Sequence, residues 1–236
     1  MMIFRDFPIR LLPLSLWGCL LLVPVTSLHA AAACPRADHK PKIVIQSNPG
    51  TVKYDTSRTR AQLASIRASQ TTSSRANTSP GKDWFATGLT VATLEFNTSL
   101  KVQAKSQGKS RYCAYPVIIE ATIGYNTINV YIAKRYKKGS CQYLTILEHE
   151  NNHVAVFRRV LSNHGKKLRR DIEDAVRNLQ PLLVSNPNQA AKKMNNALKR
   201  KTKPLFKQIN LALDKANGKL DTKKNYLREQ AKCSSW

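Results

Sequence analysis

The run His149-Glu150-Asn151-Asn152-His153 sets two imidazoles four residues apart, with a carboxylate beside the first. On a helix, residues four apart share a face, so both rings can reach one ion. Imidazole is a good zinc ligand, and zinc lowers the pKa of a bound water to about 7. A carboxylate next to the first histidine can take a proton from that water and later pass it to a departing amine. This spacing therefore points to zinc-assisted hydrolysis, with His149 and His153 as ligands, Glu150 as general base and Zn2+ as cofactor. Five letters also match by chance, so the surroundings matter. Ile146, Leu147 and Val154 flank the motif as a helical core stripe would, and Asn151 and Asn152 inside it are uncharged.

Such a site needs a third protein ligand. Arg159 stands where the third histidine of an H-E-x-x-H-x-x-G-x-x-H pattern would fall, so that arrangement is excluded. Glu173, twenty residues beyond His153, ranks first if it lies on a following helix; the competing reading is a solvated carboxylate beside Arg169 and Arg177. Tyr226 ranks second, as a ligand or as a donor that stabilises the transition state. Asp171, Asp174, Asp221 and His164 are the remaining candidates. In an unbroken helix His164 would lie about 16 Å up the axis from His153.

The elements that must position these groups follow from periodicity. Residues 42–45 and 52–54 read as short strands, 59–69 as a helix, 70–82 as a polar loop and 88–102 as a strand. Residues 113–123 and 127–132 are β-branched and aromatic, and Gly124-Tyr125-Asn126 between them reads as a hairpin turn. Residues 128–132 would then be an edge strand, suited to holding an extended substrate. After Gly139 the period becomes helical, with Gly165 ending or kinking the first helix. Residues 190–200 and 205–216 read as two further helices, with Pro204 in the first turn of the second. Strands first and helices after predict an α+β fold: antiparallel strands with a β-hairpin, then the motif helix and further helices.

The stretch from Thr145 to His153, following a hairpin and a cysteine, resembles a bacterial family of secreted, predicted zinc-dependent proteases whose members are largely uncharacterised. The resemblance covers most of residues 34–236, including Tyr54-Asp55 and residues 221–236, and its specific part is the H-E-x-x-H motif. It implies a zincin-like fold and hydrolysis of peptide or protein substrates. The family tends to place a histidine in the C-terminal segment. Counted from Asp221 as the matching aspartate, this chain has Tyr226 there, a departure that removes a third histidine ligand.

The first 33 residues read as a secretory signal. Arg5 and Arg10 precede an uncharged apolar run over 11–25, and Ala30 to Ala33 offer small-residue cleavage sites. The run is short for a membrane span and contains Pro13 and Pro24. A periplasmic or secreted location follows, with lipidation of Cys34 as the minor alternative. Residues 34–236 then make one domain, mainly strands and loops over 34–140 and mainly helices over 141–236. Cys34, Cys113, Cys141 and Cys233 remain, and four cysteines in an exported domain predict two disulfides. The hairpin reading pairs Cys113 with Cys141, which leaves Cys34 with Cys233.

The formal net charge is +25, which predicts attraction to anionic polymers or surfaces. Lys192, Lys193, Lys199, Arg200, Lys201, Lys203 and Lys207 concentrate that charge, making an anionic envelope polymer or lipid surface a candidate partner. No aromatic residues interleave these lysines, which speaks against nucleic acid. Two other functions remain open on the sequence: a non-catalytic envelope-associated or anion-binding protein with a zinc site, and a metal-dependent amidase acting on cell-wall peptides.

Overall fold

The computed structural model describes residues 34–70, 86–179 and 181–236. Along them run β1 (Lys42–Asp55), α1 (Arg60–Ser69), β2 (Gly88–Ser106), β3 (Tyr112–Ile132), α2 (Cys141–Arg177), β4 (Leu182–Val184), α3 (Ala190–Leu220) and α4 (Lys223–Gln230). The leader expected over 1–33 and most of the loop expected over 70–82 lie outside the described residues. The order is that of an α+β chain, strands before helices, and residues 34–236 form one compact unit.

The strand pairing differs from the sequence reading in one decisive way. Residues 113–132 are not a hairpin but a single strand, β3, at the centre of the sheet order β1-β3-β2. Gly124 serves a close approach rather than a turn: its φ is +142°, and a Cβ there would lie 1.8 Å from the Asn48 carbonyl oxygen of β1. Near it the register shifts, Ala92 facing Ile128 while Leu94 faces Tyr125. The buried positions change parity at the same point, from Ile119, Ala121, Ile123 and Tyr125 to Ile128, Val130 and Ile132. A bulge thus explains the interruption that reads as a turn. The true hairpin joins β2 to β3 through 107–111, where Gly108, Lys109 and Ser110 all have positive φ.

Two further expectations change with it. β1 lies parallel to β3, so the sheet is mixed rather than antiparallel. Residues 128–132 are flanked by β1 and β2, so they are central and not an edge strand. Parallel pairing needs a crossover, and the chain supplies one through α1 and β2.

Thr59 caps α1 in a reciprocal capping box with Gln62, and Ser140 caps α2. α2 continues through Gly165 to Arg177, a length of about 55 Å at 1.5 Å per residue. α3 likewise passes through Pro204 without a break, since a buried stripe of Met194, Leu198, Thr202, Ile209 and Leu213 holds both halves to one surface. α2 and α3 pack on one face of the sheet, with Val154, Phe157, Leu161, Ile172, Leu198 and Leu213 meeting Ile119, Ile123, Tyr125 and Val130. Burying each large apolar side chain contributes about 1.5–3 kcal/mol, enough to hold α2 in place behind the site.

The disulfides are Cys34–Cys113 and Cys141–Cys233, with Cα separations of 5.5 and 5.8 Å. The expected pairs, Cys113–Cys141 and Cys34–Cys233, are therefore corrected. With β3 continuous through Gly124, Cys113 lies at its start and Cys141 beyond its far end, whereas a hairpin would have returned one to the other. A Cys34 sulfur held in a disulfide cannot also carry a thioether lipid, which removes the lipoprotein alternative. Two disulfides suit an oxidising, extracytoplasmic environment. Among the described residues no helix is long and apolar enough to cross a membrane.

Candidate metal centre

α2 and α3 run antiparallel, and their facing rungs build the site. His153 on α2 meets Asn217 on α3, and one helical turn away His149 meets Asp221 at the C-cap of α3. The four-residue spacing of His149 and His153 is thus answered by the same spacing on the facing helix. His149, His153 and Asp221 are all buried.

Three atoms converge. His149 Nε2 lies 3.2 Å from Asp221 Oδ1, His153 Nε2 lies 3.1 Å from the same oxygen, and the two Nε2 atoms are 3.1 Å apart. On the outer side, His149 Nδ1 has a Glu229 carboxylate oxygen at 3.1 Å, and His153 Nδ1 has Asn217 Oδ1 at 3.0 Å. Both outer partners are acceptors, so a proton on each Nδ1 satisfies them and leaves each Nε2 as an inward lone pair. Two lone pairs and a carboxylate oxygen at that spacing repel one another unless positive charge lies among them. Tetrahedral ligands about 2.0–2.1 Å from a zinc ion would be about 3.4 Å apart, close to the triangle found. The three residues together could hold a metal ion.

In the metal-free chain, protons meet the same electrostatic demand. Burial works against a charged His149, but hydrogen bonds to Asp221 and Glu229 outweigh it and raise its pKa to about 10. His153 is raised as well, its contacts with Asp221 overcoming burial. Burial works against the Asp221 carboxylate too, yet the two histidines and Tyr226 hold it well below the usual carboxylate range.

Glu150 sits one residue along α2 and faces the opposite wall. It is buried, and its Oε2 accepts from Thr90 Oγ1 on β2 at 2.7 Å. Burial raises its pKa above the ordinary glutamate value, while the neighbouring histidines pull it back. Gly88 makes the approach of α2 to β2 possible, because a Cβ there would lie 2.4 Å from Glu150 Oε1. His149 and Glu150 open onto a cavity of about 320 Å³ walled by α1, the start of β2, residues 135–136, α4 and Trp236.

Of the residues ranked from sequence, His149, Glu150 and His153 come together. Glu173 does not: α2 is continuous, so Glu173 lies about 30 Å up the same helix from His153, facing Arg169 at 3.8 Å. It is the solvated helix carboxylate of the competing reading. Asp171 and Asp174 pair with Lys167 and Arg177, and His164 Nδ1 meets the Val160 carbonyl at 2.9 Å. Tyr226 is present as a neighbour of the triad, its hydroxyl donating to Asp221 Oδ1 at 2.5 Å, with burial and Asp221 raising its pKa. Asp221 is one of the remaining candidates of the sequence reading, while Glu229 and Thr90 carry no signal in the sequence. Only the helical spacing of Asn217 and Asp221 hints at a matching rung.

The lysines and arginine over 192–207 are exposed on α3, opposite its buried stripe. The chain matches no family model, no curated protein and no solved structure, so the chemistry of the site itself carries the functional reading.

Proposed function

We propose that this chain is an exported zinc-dependent peptidase of zincin-like build, with His149, His153 and Asp221 as ligands and Glu150 as general base. The observation that supports it most is the triangle of His149 Nε2, His153 Nε2 and Asp221 Oδ1, with each histidine backed by an acceptor on its outer nitrogen. Two nitrogens and one carboxylate oxygen, with a cavity beside them that His149 and Glu150 line, suit a catalytic rather than a closed structural zinc site. Zinc held there would supply Lewis acidity, polarising a substrate carbonyl and making water a competent nucleophile near neutral pH.

The protein's own groups divide the remaining work. Glu229 and Asn217 hold the two imidazoles in orientation and tautomer. Glu150, with its pKa raised by burial, is suited to accept a proton and return it to a departing amine. Thr90 fixes the carboxylate that does so. Among the described residues β2 pairs only with β3, and because residues 89–92 are buried, it is the start of β2 at Gly88, where the strand lines the cavity, that would meet an extended peptide. That role passes to β2 from residues 128–132.

The leader over 1–33 and the two disulfides support export, and the basic face of α3 supports attraction to an anionic envelope surface. The test is digestion of a peptide library by protein stripped of metal and then reloaded with zinc. Cleavage lost on stripping and restored by zinc supports the reading. Zinc binding with no cleavage would favour a non-catalytic zinc protein, and cleavage confined to cell-wall peptides would favour the amidase.

A further inference from the structure

The cavity beside His149 and Glu150 is rich in arginine. Arg60, Arg67 and Arg135 all line it. Among the described residues, Glu150 and Glu229 are the carboxylates that line it with them. Such a cleft, with low-dielectric walls, attracts and orients anions.

The arginines are placed rather than scattered. Arg60 and Arg67 are seven residues apart on α1, two helical turns, so they share one face about 10.5 Å apart along the axis. That interval matches about three residues of extended peptide. Arg67 and Tyr226 line the same cavity, across from His149 and Glu150 on α2. Arg135 lies over the Tyr136 ring at 5.4 Å, and Tyr136 packs edge-on against Trp236, so an aromatic wall presents its guanidinium.

Resting on the peptidase reading above, we infer that this cleft selects peptides bearing a carboxylate within a few residues of the scissile bond, with Arg67 and Arg135 as specificity-determining residues. Guanidinium is the matching group, since its fork can donate two parallel hydrogen bonds to a carboxylate. The carboxylate has two sources, an Asp or Glu side chain or the C-terminus of the substrate.

Equilibrium binding to the metal-free protein tests this without turnover. The probes are N-acetyl-Ala-Ala, its C-terminal amide, and N-acetyl-Ala-Glu-amide, with binding followed by calorimetry. At least one carboxylate probe should bind about tenfold or more tighter than the neutral amide, the effect of one charge-assisted hydrogen bond. Arg135→Gln and Arg67→Gln should each remove most of that preference, weakening the carboxylate probes more than the amide. Preference for N-acetyl-Ala-Ala would identify the terminal carboxylate, and preference for N-acetyl-Ala-Glu-amide the side chain. Equal binding of all three, or a preference that survives both substitutions, would overturn the inference. Zinc-dependent cleavage of neutral peptides as fast as acidic ones would also overturn it while leaving the peptidase reading intact. Absence of all cleavage with the binding preference present would overturn the peptidase reading alone.

Discussion

The hydroxyl of Tyr226 donates to Asp221 Oδ1 at 2.5 Å, the same oxygen that the Nε2 atoms of His149 and His153 face. The tyrosine thus holds the carboxylate at the apex of the triangle. Tyr226→Phe removes that hydrogen bond and little volume. It should weaken zinc binding by about 10- to 100-fold, the usual effect of losing a partner of a metal ligand, with the fold intact. Competition against a chelator of known affinity measures it, and unchanged affinity would show that Asp221 needs no such support.

Asp221 and Glu173 separate cleanly as third ligands. Asp221→Asn should lose most zinc affinity, whereas Glu173→Gln should bind zinc as the wild type does. Metal content after dialysis decides between them. Loss in the Glu173 variant would mean that α2 breaks in solution and folds back on itself.

Protons and metal compete for this site. His149, with its pKa raised to about 10 by Asp221 and Glu229 against the outward pull of burial, is protonated in the metal-free chain near neutral pH. A metal needs the neutral ring, so loading should expel protons and affinity should rise with pH up to about 10. Calorimetry in buffers of different ionisation enthalpy counts the protons; none released would contradict the arrangement. The same shifts act on folding. For His149 the folded pKa lies above the ordinary 6.5, so its contribution is fully present below 6.5 and is lost as pH rises through about 10. For Asp221 the folded pKa lies below the ordinary 3.8, so its contribution is present above 3.8 and fades only in strong acid. The metal-free protein should lose stability as pH climbs from about 7 to 10, and zinc should offset that loss.

The local signals in the sequence proved sound and the long-range ones did not. The motif helix, the capped helix after Thr59 and the order of strands before helices follow from spacing and caps that act over a few residues. Gly124 misled because a glycine needed for close contact with Asn48 looks the same in sequence as a glycine needed for a turn. Gly165 and Pro204 misled because the packing of buried stripes on α2 and α3 outweighs the local costs, about 1 kcal/mol for a glycine and about 3 kcal/mol for a proline inside a helix. Both disulfides then followed the wrong hairpin. Asp221 was hard to rank because its place in the site depends on the antiparallel register of α2 and α3, set by packing around Phe157 and Leu213.

The Cys141–Cys233 bridge ties the start of α2 to the segment after α4, and the Lys232–Glu148 pair at 2.8 Å and the Gln142–Ser235 contact at 2.6 Å reinforce it. It closes a separation of 92 residues, worth on the order of 4–5 kcal/mol in the chain-entropy picture. The double variant Cys141→Ser/Cys233→Ser should lose both thermal stability and zinc affinity, because α4 carries Tyr226 and Glu229. Cys34→Ser/Cys113→Ser should lose stability and keep zinc affinity. Equal effects on zinc from both pairs would show that the C-terminal strap does not position the site.

The central claim is that Glu150 works as a base beside a metal that it does not bind. Glu150→Gln keeps the shape of the side chain and removes its basicity. The direct measurement is zinc stoichiometry and peptide hydrolysis of Glu150→Gln next to wild type, both loaded with zinc. About one zinc per chain in both, with hydrolysis down by at least about 100-fold in the variant, is the predicted result. Full zinc loading with hydrolysis equal to wild type would contradict it.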